Sequence, residues 1–280
     1  MRAAPGGPFD QEQTLPPEIT ANLQRAYGLD QPLWTQYGRY LKALLHGDFG
    51  PSFKYKDFTV TELIGQGFPV TLQLGVMAMA LALMAGTLLG TFAALHRNSA
   101  ADYATMSLAM VGIAIPTFVV LPFLGLLFGV YLHWLPVAGW ESGSIRHLVL
   151  PVIVLALPPL AYIARLTRAS MLEVLRSNFI LTAFAKGLPL HTLILRHALR
   201  PALMPVAGYL VPAVASIMTG SLVVESIAGL PGIGRYLVQG ALNRDYTLVL
   251  GMVVIYSTLL IGMGLLVDLL YAWLDPRVRH

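Results

Sequence analysis

The stretch EVLRSNFILTAFAKGLPLHTLILRHALRPALMP, residues 173–205, interrupts a chain whose other long segments are mostly apolar. Residues 165–200 carry six basic side chains against one acidic side chain, Glu173. Short loops rich in Lys and Arg remain on the cytoplasmic side of a membrane. The stretch therefore predicts a cytoplasmic loop between membrane spans.

Two short helices joined by a Gly-Leu-Pro corner are predicted within this loop. Ser177 or Asn178 is suited to cap a helix that runs through Lys186, and Gly187 can take the left-handed conformation that ends it. Pro189 suits the first turn of the second helix. Five side chains of the second helix recur at helical spacing: Leu190, Leu193, Ile194, His197 and Ala198. Two prolines mark the predicted return into the membrane: Pro201 and Pro205.

Three interpretations of the loop follow from its residues. It could be a basic amphipathic connector that lies on anionic membrane lipid. It could be a nucleic-acid-binding helix-turn-helix, although membrane spans on both sides would restrict access to a duplex. It could also be a helix that docks in a groove of a soluble partner.

The composition indicates an integral membrane protein. Of 280 residues, 56% are hydrophobic and only 11% are charged, whereas soluble domains average about 25% charged residues. The net charge of +4 fits basic cytoplasmic loops and requires no nucleic acid partner. The chain has no cysteine, which excludes disulfides and thiol chemistry.

Five predicted spans each approach the roughly 20 residues needed to cross a bilayer. They are residues 69–95, 103–132, 148–164, 201–224 and 246–267, and a helix could continue past Arg165. Two pairs have the small-residue spacing that permits close helix packing: Gly86 with Gly90, and Gly125 with Gly129. Five prolines are expected to kink or break helices: Pro116, Pro122, Pro158, Pro159 and Pro212.

Residues 1–68 are more polar and predict a small helical cap. One helix is expected over 14–27 and another from about Asp30 to Gly47. Residues 48–53 are expected to be extended. Thr59 and Glu62 have the spacing of a capping box at the start of the next helix.

The orientation follows from the distribution of Lys and Arg among the short connections. His96-Arg97, residues 165–200 and the C-terminal tail hold nine Lys or Arg residues, against three in 133–147 and 225–245. The C-terminus is therefore predicted to be cytoplasmic and residues 1–68 extracytoplasmic. Since no signal peptide is apparent, we expect a further span upstream of Met1, which would make six.

The search for catalytic motifs is negative. The sequence lacks GxxxxGK[ST], HExxH and GxSxG, so we expect no P-loop ATP site, no metal site, no cofactor site and no catalytic residue. Glu225 and Asp268 are acids beside apolar spans, which makes them candidates for the substrate path. An interfacial location without substrate contact is the alternative for both. Gly229-Leu230-Pro231-Gly232 predicts a tight extracytoplasmic turn.

The loop resembles the coupling loop of binding-protein-dependent ABC importer permeases of the peptide branch. The resemblance is carried by Thr182-Ala183-x-Ala185-Lys186-Gly187, His197-Ala198-Leu199-Arg200-Pro201 and Pro205. It implies that a short helix with Thr182, Ala183, Ala185, Lys186, Gly187 and Leu188 docks on an ATPase subunit. Phe184 stands where peptide permeases often have Arg. Glu225, Pro231, Gly232 and Gly234 match a second signature, on the face that meets a substrate-binding protein.

The resemblance covers nearly the whole chain and is closest to the first membrane subunit of bacterial oligopeptide importers. It implies an all-α polytopic bundle of the type I ABC importer permease class in the bacterial inner membrane. The expected parts are a cap (1–68), a permease domain (69–272) with a coupling loop (173–200), and a cytoplasmic tail (273–280).

The implied function is uptake of oligopeptides by alternating access, without an ATPase site in this chain. The expected partners are a paralogous permease, two ATPase subunits, an extracytoplasmic peptide-binding protein, the peptide and membrane lipid. Alternative substrates of this importer class are dipeptide, glutathione or nickel. An alternative function from another class is a membrane-anchored interaction module without transport. A secondary transporter is the third alternative, because no inverted repeat with polar mid-membrane sites is apparent.

Overall fold

A computed structural model describes residues 31–55, 57–141 and 144–274, with side chains described as far as residue 269. Over these residues the protein is helical, apart from an isolated antiparallel bridge between Pro51 and Thr59. The helices are α1 (Leu33–Leu45), α2 (Val60–Leu95), α3 (Ala100–Ala114), α4 (Thr117–Leu124), α5 (Arg146–Val174), α6 (Asn178–Ala185), α7 (Leu190–Thr192), α8 (Leu199–Ala202), α9 (Met204–Ala228), α10 (Ile233–Leu242) and α11 (Tyr246–Leu274). Two π-helical segments, Gly125–Tyr131 and Leu193–Ala198, continue α4 and α7. The predicted all-α fold is confirmed.

Four of the described helices are long and apolar enough to cross a membrane: α2, α5, α9 and α11. The predicted span 103–132 is not one helix, because α3 and the segment from Thr117 to Tyr131 are bent by 105°. The proline ring of Pro116 disfavours helical backbone at Ile115, which is extended with φ −101° and ψ 124°. Counting the bent pair as one span gives the predicted five.

Unlike Pro116, the prolines inside α5 and α9 do not interrupt their helices. Pro158 and Pro159 lie within α5, and Pro212 lies within α9, without ending either helix. Of the two predicted outcomes, a kink or a break, the break does not occur at these three prolines. In a membrane bundle, neighbouring groups can satisfy the carbonyls that a proline leaves unpaired.

The first long helix begins earlier than the predicted span. Thr59 and Glu62 form the predicted capping box: the Glu62 amide donates to Thr59 Oγ1 at 3.2 Å, and the Thr59 amide donates to Glu62 Oε2 at 2.7 Å. α2 then continues from Val60 to Leu95. The expected boundary between cap and permease domain, at residues 68–69, thus lies inside this helix.

The described residues form two compact units. One contains residues 31–70 and 231–256, and the other contains residues 71–230 and 257–274. In the first unit, α1 matches the predicted second helix of the cap and is followed by Gly47 at φ +74°. The helix predicted over 14–27 lies outside the described residues.

Asp245 joins two segments of the first unit through hydrogen bonds. Its buried carboxylate accepts hydrogen bonds from Ser52 Oγ at 2.5 Å and from the amides of Phe53, Lys54 and Leu248 at 3.1 to 3.2 Å. Tyr55 adds a bond to Gln239 Oε1 at 2.6 Å. Burial raises the pKa of the Tyr55 phenol, so that it remains a protonated donor at neutral pH. These bonds tie residues 52–55 to the start of α11.

Helix α5 is central to the second unit and packs against α3, α4 and α9. α2 also approaches it closely. A methyl group on Gly90 would collide with the Ala164 carbonyl oxygen, and one on Gly86 would lie 2.8 Å from that of Leu160. The close helix packing predicted for this glycine pair is therefore confirmed. The second pair differs, since Gly129 lies against Val137 of the loop after the π-helical segment rather than against another helix.

Candidate functional site

The predicted loop forms two helical segments that meet at Gly187. After α5 ends at Val174, three residues lead into α6, and the second segment runs from Leu190 to Ala202. Ser177 is the N-terminal flanking residue of α6, but its hydroxyl does not cap this helix. Instead, Ser177 Oγ donates to the Val174 carbonyl at 2.6 Å, so the predicted side-chain cap was wrong. The hydroxyl is used to close the turn that ends α5.

The corner itself follows the sequence prediction. Gly187 has φ +77°, the left-handed conformation that glycine adopts without steric cost. Its amide donates to the Phe184 carbonyl at 2.9 Å, and the Leu188 amide donates to the Ala183 carbonyl at 3.4 Å. This pair of bonds is the Schellman motif, which satisfies the last carbonyls of a helix. Pro189 then sits immediately before α7.

Apolar packing fixes both segments to the helices that carry them. Met171 of α5, Ile180 of α6, and Leu193, Ala198 and Ala202 of the second segment belong to one buried cluster. Ala94, near the end of α2, completes this cluster. We call these parts the coupling block: the end of α5, the loop 175–202 and the end of α2. The buried cluster thus packs the loop against the ends of both long helices.

The helical spacing predicted for the second segment places its five residues on one face, but only some of them are buried. Leu193 and Ala198 are buried, but Leu190 and His197 are exposed. The reason is the π-helical stretch, which places residues five apart on one face. A period of 3.6 residues could not have revealed this register.

The surface of α6 combines polar and apolar groups. Among the predicted docking residues, Thr182, Ala185, Lys186 and Gly187 are exposed, while Ala183 and Leu188 are half-buried. Three large apolar side chains of the same helix are also exposed: Phe179 (51%), Leu181 (56%) and Phe184 (68%). Sequence reasoning identified the helix but not these three as surface groups. The structure shows that Ile180 is the fully buried member of this helix and that Ala183 packs beside it against the buried cluster.

The surrounding surface is basic. Arg176, Lys186, Arg196 and Arg200 are at least partly exposed around the two segments. The loop thus combines exposed apolar side chains with surrounding basic ones.

The second signature lies at the other end of α9. Glu225 is fully buried in the last turns of this helix. Gly229 follows at φ +69°, and both the Gly229 and Leu230 amides donate to the Glu225 carbonyl. Gly232 precedes α10, and Gly234 is buried in its first turn. Gly229 and Leu230 thus form the first part of the predicted turn.

The two substrate-path candidates have unlike environments. Asp268 is exposed on α11, whereas Glu225 is fully buried in α9. In the part of the chain that the structure describes, no group of three or more His, Cys, Asp or Glu side chains is arranged to hold a metal ion.

Comparison with known proteins gives a consistent result. Residues 86–280 match the family described as binding-protein-dependent transport system inner membrane component. The oligopeptide transport system permease protein OppB of Escherichia coli (strain K12) is 54% identical over 280 residues, which is all of this chain and 92% of that protein. The dipeptide transport system permease protein DppB of Bacillus subtilis (strain 168) is 47% identical over 279 residues, covering 100% of this chain and 90% of that protein.

Solved structures show the same fold at low sequence identity. The MetNI methionine ABC transporter, in an inward-facing conformation, matches with a TM-score of 0.64 and 16% identity, over 76% of this chain and 96% of that chain. An amino acid ABC transporter matches with a TM-score of 0.51 and 20% identity, over 75% of this chain and 94% of that chain. The likeness extends to the helical bundle predicted for this chain. The chain belongs to the family of binding-protein-dependent transport system inner membrane components.

Proposed function

We propose that this protein is the membrane permease subunit of an ATP-driven importer that takes up oligopeptides delivered by an extracytoplasmic binding protein. The observation that carries the proposal is the 54% identity, over the whole chain, to an oligopeptide permease. The proposal assigns no ATPase site to this chain, since the sequence lacks a P-loop motif. ATP would be hydrolysed by two partner ATPase subunits.

The coupling loop is the proposed docking element for one of these ATPases. The exposed apolar side chains of Phe179, Leu181 and Phe184 would enter a groove of the ATPase, as amphipathic helices do in helix-in-groove recognition. Lys186 and Gly187 would lie at the edge of this contact. Because the buried cluster fixes α6 to α5, movement of the ATPase would be passed to the spans rather than absorbed by a flexible loop.

The proposed topology places the coupling block and the C-terminus in the cytoplasm. Residues 1–68 and the turn with Glu225, Pro231, Gly232 and Gly234 would then face the outside, where a binding protein delivers its peptide. The support for this orientation is the excess of Lys and Arg on one set of loops. Peptide would pass between this permease and a paralogous one as the two rock between outward-open and inward-open states.

The test is peptide uptake by intact cells from which the gene has been deleted. Uptake of a radiolabelled tetrapeptide should be lost and should return when the gene is supplied on a plasmid. Dipeptide uptake should be unchanged. Loss of dipeptide uptake alone would favour the second candidate function, dipeptide import, which the 47% identity to a dipeptide permease supports. If the deletion changes neither tetrapeptide uptake nor dipeptide uptake, both candidate functions are contradicted.

A further inference from the structure

An ion pair between the buried Asp102 and the half-buried Arg168 joins α3 to α5 at one end of the bundle. Arg168 Nε and Nη2 donate to Asp102 Oδ1 and Oδ2, both at 2.6 Å. Asp102 is 1% exposed and Arg168 is 26% exposed. Two parallel charge-assisted bonds fix both the distance and the relative orientation of the side chains.

Asp102 is itself held by the start of its own helix. Ser99 Oγ accepts from the Asp102 amide at 3.3 Å, and Asp102 Oδ2 accepts from the Asn98 amide at 2.9 Å. Asn98 adopts φ +59°, in the left-handed region, which lets the chain turn sharply between α2 and α3. The carboxylate therefore lies on a backbone that is already constrained.

Arg168 lies beside the close contact between α5 and Gly90 of α2. A methyl group on Gly90 would lie 2.7 Å from Thr167 Cβ and 3.1 Å from the Arg168 amide nitrogen. Met171, which belongs to the buried cluster of the coupling block, follows Arg168 by less than one turn. The guanidinium is thus attached to the coupling block.

α3 has no residue in that buried cluster, and it ends at the 105° bend. It packs on α5 through Ala109 against Ala161 and Ala164, with Met106 and Ile113 of the same helix packed beside them. These apolar contacts are non-directional and do not supply a bond of fixed geometry between the two helices. The ion pair provides that bond at the end of α3 nearest the coupling block.

We propose that Asp102 and Arg168 are positioning residues that make α3 move with the coupling block, so that the bend at Ile115 and Pro116 takes up the motion. The inference rests on the proposed function, because it concerns how ATPase movement reaches the spans. Neither residue touches peptide or nucleotide in this role. Their loss should separate ATP hydrolysis from transport.

The experiment uses the complete complex in proteoliposomes: this chain, its paralogous permease, both ATPases and the binding protein. Asp102→Asn keeps the shape and an acceptor for the Asn98 amide, but it removes the charge that orients Arg168. We expect the number of ATP molecules hydrolysed per peptide imported to rise roughly tenfold, within the range of known coupling free energies. Glu141→Gln removes an exposed carboxylate from a loop outside the coupling block and should leave this ratio unchanged.

A second variant guards against instability from an Arg168 left without its carboxylate partner. Replacing both partners, Asp102→Leu with Arg168→Met, removes both charges, and such replacements are often neutral for folding. This double variant should assemble and show the same raised ratio. A normal ratio in the double variant, or parallel losses of hydrolysis and uptake, would overturn the proposal, as would failure of both variants to assemble. If the unsubstituted complex imports no peptide, the proposed function itself fails, whatever the variants do.

Discussion

Gly187 is the residue whose backbone conformation the coupling loop most depends on. Its φ is +77°, and a methyl group built on it would meet no atom within 4 Å. A side chain there would be strained only by the backbone, by about 1 to 2 kcal/mol, and not by collision.

We expect Gly187→Val to impair peptide uptake while membrane insertion persists, because the Schellman corner would be distorted. Gly187→Asn is the matched control, since Asn tolerates the left-handed region better than other side chains. The measurement is uptake normalised to the amount of chain in the membrane. Equal uptake by the two variants, or normal uptake by the Val variant, would contradict the role given to this corner.

Asp245 allows a prediction about stability. Its carboxylate accepts four hydrogen bonds in a buried position, so Asp245→Ala should lower the free energy of unfolding by about 2 to 3 kcal/mol or more. Thermal unfolding in mild detergent measures the effect. Asp48→Ala is the control, because the exposed Asp48 carboxylate accepts a bond from Gly50 two residues away and should matter little. Equal melting temperatures for the two variants would refute the assignment.

The sequence predicts the role of a single residue when that role depends only on its neighbours in the chain. Gly187 and the Thr59–Glu62 capping box depend on neighbours within a few positions, and the structure confirms both. Asp102 and Arg168 are 66 residues apart, so no local pattern could pair them. The predicted Ser177 cap was wrong: its hydroxyl donates to the Val174 carbonyl three residues back, and it accepts no hydrogen bond from an amide of α6.

At the scale of helices, Gly90 sets the distance between α2 and α5. A methyl group there would collide with the Ala164 backbone carbonyl, which cannot move aside as a flexible side chain could. We therefore expect Gly90→Ala to force the helices apart and destabilise the protein by about 1 to 3 kcal/mol. Gly262→Ala is the control, since a methyl group at that position of α11 would have no atom within 4 Å.

Thermal unfolding in detergent should show a clear decrease for Gly90→Ala and little change for Gly262→Ala. If both substitutions act alike, the helix spacing is not set at Gly90. The sequence could indicate this contact because small residues four apart favour close packing. It could not separate this pair from Gly125 and Gly129, whose spacing is identical but whose neighbour is a loop residue, Val137.

Hydropathy likewise located the spans, but it did not show whether a span is one continuous helix or two helices that meet at an angle. Residues 103–132 are uncharged and long enough to cross a membrane, yet α3 and the following helix meet at 105°. Pro116 indicated a break, but Pro158 and Pro159 carried the same signal inside a continuous helix. Whether a proline ends a helix depends on what surrounds the freed carbonyls, which is a property of tertiary packing.

For the whole molecule, the central structural expectation is its orientation in the membrane. The chain has no cysteine, so single cysteines can be introduced without a background signal. A cysteine at Glu141 should react with an impermeant maleimide added outside the cell, whereas one at Lys186 should react only after the membrane is opened. Both positions are exposed. The reverse pattern would invert the topology and place the coupling block outside.

The proposed function includes docking on ATPase subunits through the coupling loop, in which residues 183–188 contain Phe184 and the Gly187 corner. The direct measurement is purification of the tagged chain from its native host in mild detergent, followed by identification of what accompanies it. We predict a second permease and two ATPase subunits, with the ATPases lost when residues 183–188 are replaced and the chain remains folded. A single species, or ATPases retained after that replacement, would contradict this prediction.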